Sequence, residues 1–223
     1  MIRYEFYYFP GKYLGYDDFS HLVSEMRRVA SYEGISIDTP VREYLKEKIV
    51  VIARKKGSAV AYRMAEFIRV PKSLDVLFVH SIVSTPAVFK GEYNYIMLST
   101  LVNNLVVRFR ILGNTYVCCV NDSFYDIHKF ENDFIDVFPS IVQDNQPRSV
   151  YVSVFEYIIS NRRDVLGIYN SSEIDRCTYF INNERIIQIG KTNFIKCISN
   201  LIKGKSVKKS RAILTPDNNV RIA

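Results

Sequence analysis

The sequence has no tryptophan, only three histidines and only four cysteines among its 223 residues. Cys118, Cys119, Cys177 and Cys197 form no C-x-x-C pair and no metal-ligand spacing, so neither a disulfide scaffold nor a structural zinc site is indicated. Reduced thiols in a cytoplasmic protein are the expectation. No apolar run is long enough to span a bilayer. The opening residues, MIRYEFYYF, lack the basic, apolar and small-residue layout of a secretory signal. The chain has no G-x-S-x-G, P-loop, G-x-G-x-x-G or H-E-x-x-H motif. Elbow-type serine hydrolases, P-loop nucleotide enzymes, dinucleotide folds and zinc peptidases are thereby set aside.

What remains is a globular composition, 48% hydrophobic and 24% charged, rich in tyrosine and phenylalanine. The net charge is +7, and five of the positive residues lie in KGKSVKKSR, from Lys203 to Arg211, with no acid among them. The body is therefore close to neutral. Residues 203–223 read as a basic, solvated C-terminal tail, and nucleic acid is expected only through 203–211, if at all. Residues 1–202 read as one domain, since no repeat or low-complexity linker interrupts them.

Ile2 to Phe9 reads as a strand closed by Pro10-Gly11. Asp17 then caps a helix with the apolar stripe Phe19, Leu22, Val23, Met26 and Ala30. A short helix follows Thr39-Pro40. IVVIARK and AVAYRMAEFIRV, joined by Lys56-Gly57-Ser58, predict a hairpin. SLDVLFVHSIVS predicts one nearly continuous buried strand. A long helix is expected from about 92 to 112, with Gly113 as its stop, and TYVCCV as the next strand. Ser123 opens a helix that Pro139 ends, and Ser149 caps another with the stripe Tyr151, Val154, Phe155, Ile158 and Ile159. Asn182-Asn183 marks a second hairpin, and a last helix is expected from Thr192 to about Ile202. The fold class is α/β, a mixed and mostly antiparallel sheet with helices on both faces. The fourth strand, long helix and fifth strand make one right-handed crossover, which places a ligand at the carboxyl ends of the parallel strands.

This order, with the strand, turn and helix of VHSIVSTPAVFKGEYNYIM, resembles the acyl-CoA N-acyltransferase (GNAT) superfamily over roughly residues 2 to 140. Val83-Ser84-Thr85-Pro86 stands where that family ends its fourth strand, and Lys90-Gly91-Glu92 where it has its glycine-rich turn. This turn departs from the family in having one glycine, with Tyr93 and Tyr95 at places usually small. The resemblance implies acyl transfer from acyl-CoA, acetyl-CoA among them, to a small-molecule or peptide amine, with no metal. It implies that the backbone from Ile82 through Val83 to Ser84 polarises the thioester carbonyl. It also implies that Lys90, Gly91 and Glu92 flank the pyrophosphate, that Asn121 lies beside the cofactor, and that Tyr125 or His128 protonates the departing thiolate. A non-catalytic binding protein of the same fold, using the basic tail on an anionic partner, is the alternative. A homodimer is allowed and a membrane role is not expected.

Two residues stand out on chemistry alone. His80 lies mid-strand on a face with Leu74, Val76, Phe78 and Ile82, and its side chain titrates in the range a general base needs. Glu66 shares a face with Val60, Tyr62 and Met64, where a carboxylate among apolar neighbours could act as base. Each has a plainer reading: a hydrogen-bonded core histidine and a solvated rim carboxylate.

Overall fold

The computed structural model describes residues 2–33, 41–71, 74–86, 101–102, 104–105, 115–141, 146–166, 172–182, 184–192 and 211–212. The expected turn at Lys90–Glu92, most of the helix at 92–112 and the helix after Thr192 lie outside these residues. Leu101, Val102, Asn104 and Leu105 are helical, and the three apolar ones are buried, as their stripe requires. Contacts divide the chain into two compact units, one of residues 1–64, 82–89 and 207–223 and the other of 65–81 and 90–206.

In the first unit, β1 (Ile2–Tyr8) pairs antiparallel with β2 (Lys48–Lys55), which adjoins β3 (Ser58–Val70). The β2–β3 turn works as predicted, with φ of 51° at Lys56 and 87° at Gly57. Two successive positive φ values give the hairpin a twist that matches its strands. Helix α1 (Pro10–Tyr13) precedes α2 (Tyr16–Ala30), and α3 (Val41–Tyr44) comes before β2. Gly15, not Asp17, is the cap of α2. Asp17 and Asp18 fall in its first turn, where negative charge suits the helix dipole. The predicted stripe is the buried face of α2, packed with Tyr7, Val50, Ile52 and Tyr62. Arg54 ties this helix to the sheet: its two terminal nitrogens each lie 2.5 Å from Glu25 and its Nε donates to Glu5 at 2.7 Å. A short strand β5 (Val83–Ser84) pairs with Tyr62 and Ala61 of β3. Residues of the expected tail take part as well, because β10 (Arg211–Ala212) lies parallel to β1 beside Glu5 and Phe6.

In the second unit, the end of β3 pairs antiparallel with β4 (Leu74–Val79), and β4 pairs parallel with β6 (Tyr116–Asn121). β4 and β6 are the two strands that the sequence places on either side of its crossover. Beyond β6 lie β9 (Arg185–Lys191) and β7 (Ile135–Phe138), both antiparallel, with β8 (Phe180–Ile181) folded onto β9 through the predicted asparagine turn. The α/β class with a mixed, mostly antiparallel sheet is therefore the one observed. Helix α4 (Phe124–Asp133) ends before Pro139, because Ile135–Phe138 is claimed by pairing with β9. Gly190 lets α4 approach closely: a Cβ there would sit 2.7 Å from the Phe134 Cβ. Helix α5 (Ser149–Asn161) covers the opposite face, its stripe buried with Val76, Phe78, Cys118, Ile187 and Ile189. The expected single fourth strand is interrupted, with His80, Ser81 and Ile82 outside any described strand.

Ser123 is the N-cap of α4, accepting the Asp126 N–H at 3.1 Å while its hydroxyl donates to the Asp126 carboxylate at 2.7 Å. Ser123→Ala is expected to cost about 1 kcal/mol in urea unfolding, and Ser123→Gly only a few tenths. Equal losses in the two variants would mean that the hydroxyl does not cap α4.

Candidate active site

The site is built where two parallel strands stop keeping company. The ladder between β4 and β6 ends at Val79 and Cys119, while β6 continues to Asn121 alongside β9. His80 and Ser81 leave the sheet as Val120 stays in it. The gap is a cavity of about 250 Å³ lined by His80, Ser81, Val120, Val165, Leu166 and Arg185. It lies at the carboxyl end of the parallel pair, where open α/β sheets hold ligands.

Glu66 lies opposite Phe78 in the β3–β4 register, so its side chain shares the face of Phe78 and reaches the next residue on that face, His80. The His80 Nε2 is 3.0 Å from the Glu66 Oε1. The other carboxylate oxygen, Oε2, accepts from the Arg162 Nη2 at 2.6 Å. Arg162 is the C-cap of α5, its backbone N–H bonded to the Ile158 carbonyl, and Asp164 accepts from its Nε at 3.3 Å. The Glu66 side chain is 3% exposed and that of His80 13%, so the rim reading of Glu66 does not hold. Burial works against the Arg162 charge, but hydrogen bonds to Glu66 and Asp164 outweigh it and hold its pKa above the ordinary value. A carboxylate this buried needs such a counter-charge to stay ionised. Held by Arg162, the Glu66 carboxylate fixes the orientation of the imidazole. His80 thus has the setting of a general base or of a hydrogen-bond donor.

The other predicted residues fall elsewhere. Asn121 is buried on the face away from α5, donating to Gln188 Oε1 at 2.7 Å and accepting a weak thiol bond from Cys119, while Gln188 donates to the Pro139 carbonyl. Tyr125 is 48% exposed on α4, with the Lys129 ammonium 5.5 Å over its ring. His128 lines a separate cavity of about 330 Å³ with Glu131, Asn132, Asp136 and Ser140. Neither Tyr125 nor His128 lines the cavity that His80 opens. Ile82, Val83 and Ser84 are buried in the first unit, the last two paired with β3. Lys90, Gly91 and Glu92 lie outside the described residues. Arg162 was missed from sequence, although it stands four residues after Ile158 and so continues the buried stripe of α5 with a charge. Among the described residues, no group of three or more His, Cys, Asp or Glu is placed to hold a metal ion, and no helix is long and apolar enough to cross a membrane.

No family model and no curated protein matches the chain. Solved structures similar to it include the ribosomal-protein-S18-alanine N-acetyltransferase of Escherichia coli, with 9% identity and a TM-score of 0.45 over 86% of this chain and 95% of that one. An IAA acetyltransferase of Bacillus cereus is similar with 10% identity and a TM-score of 0.43, over 86% and 99% of the two chains. A predicted acetyltransferase of Clostridium acetobutylicum, solved with acetyl-CoA, has 19% identity and a TM-score of 0.41, over 66% and 95%.

Proposed function

We propose that this chain is a divergent GNAT-type N-acyltransferase that moves an acyl group from acyl-CoA to an amine acceptor. The observation that carries the reading is the Arg162–Glu66–His80 chain at the open end of β4 and β6. In the proposed reaction His80 takes a proton from the acceptor ammonium, and the ring stays aligned by Glu66, whose charge is balanced by Arg162. The freed amine nitrogen attacks the thioester carbonyl carbon. Backbone N–H groups in the segment after Val79 stabilise the oxyanion. The C–S bond then breaks, the nitrogen gives up its second proton to water, and the thiolate takes a proton from water. The phosphates of CoA fall to Lys90, Gly91 and Glu92, with Asn121 holding β6 to β9 beside the opening.

Acyl-CoA at about 100 times its Kd is expected to stabilise the protein by roughly 2.7 kcal/mol, read as a raised melting temperature. CoA alone should give a smaller shift. No shift, together with no calorimetric heat from acetyl-CoA or longer acyl-CoAs, would overturn the reading.

A further inference from the structure

The cavity beside His80 has an unbalanced charge. Among the described residues, the two ionisable side chains in its wall are His80 and Arg185, and no carboxylate lines it. Glu66 stands behind His80 and is already answered by Arg162. Arg185 is part-buried at the start of β9, and among the described residues its guanidinium has no hydrogen bond or ion pair. The contrast with other arginines is sharp: Arg54 holds Glu25 and Glu5, Arg148 holds Asp136, and Arg176 holds Glu156. Among the described residues nothing answers this fork of donors, and a carboxylate matches it. The rest of the wall, Val120, Val165 and Leu166, is aliphatic. A volume of about 250 Å³ lies below the usual range for drug-sized ligands and suits a smaller molecule.

We infer that this cavity binds a small carboxylate with a short aliphatic body, its carboxylate on Arg185 and its chain against Val120, Val165 and Leu166. Joined to the acyl-transfer reading, on which this second part rests, the acceptor is an aliphatic amino acid whose amine faces His80. The binding part does not depend on catalysis.

Two experiments separate the parts. Calorimetry and imidazole NMR of His80 use 4-methylpentanoate and its neutral amide as probes. The carboxylate should bind at least about 10-fold more tightly than the amide and perturb the His80 resonances, as expected for a charge-assisted hydrogen bond. Arg185→Met should remove that preference, and Arg185→Lys should restore part of it. Acyl transfer is then assayed with L-leucine and L-leucinamide, where the expected preference for leucine lies mainly in KM and vanishes in Arg185→Met. Arg185-dependent binding of the carboxylate without acyl transfer would leave the site standing and remove the enzyme reading. Equal binding of the two probes, no binding of either, or an unchanged preference in Arg185→Met would overturn the inference, whatever the outcome for catalysis.

Discussion

His80→Ala is expected to lower kcat for acyl transfer at least about 10²-fold while acyl-CoA binding changes little. The imidazole takes up a proton only as the amine attacks, so its contribution appears in the transition state more than in the ground state. Glu66→Gln should lose a large part of the same factor, because a neutral amide no longer stabilises the charged imidazole it touches at 3.0 Å. Steady-state kinetics with calorimetry of acyl-CoA binding checks both variants. Turnover near wild type in His80→Ala would leave the proton to water and reduce the Glu66 pair to a structural contact.

Phe155→Ala should be the most damaging single truncation in the second unit, costing about 3–5 kcal/mol in urea unfolding. The ring is 1% exposed and stacks on Tyr179 with centroids 3.7 Å apart and planes at 0°. Tyr179 is itself 1% exposed and meets Phe138 edge-on, so one deletion opens a void and strands two aromatic neighbours. Phe155→Leu should recover much of the loss by refilling volume. A cost below about 1 kcal/mol would show that α5 settles onto the sheet without this ring.

The parts of the fold that were legible in sequence are those in which local preference and burial agree. The α2 stripe, the Lys56-Gly57 turn and the start of α4 near Ser123 each need only neighbours a few residues away to be specified. β7 was not legible, because Phe134 to Phe138 sits in a helical run and becomes strand only through pairing with β9, some fifty residues later. The break in the fourth strand was hidden for the opposite reason. SLDVLFVHSIVS is apolar throughout, and nothing in it says that pairing with β6 stops at Val79. His80 and Glu66 were visible as odd residues on apolar faces, yet their partnership is a matter of register across β3 and β4. Arg162 and Arg185 arrive from distant segments, so no spacing could link them to His80.

The return of Arg211–Ala212 to β1 bears on solubility. A rim strand shows open N–H and C=O groups that invite another chain to add itself, and β1, reading IRYEFYY, carries the aromatic side chains that would reward it. Arg211 and Ala212 occupy the middle of that rim at Glu5 and Phe6. That pairing covers part of an edge that would otherwise template self-association.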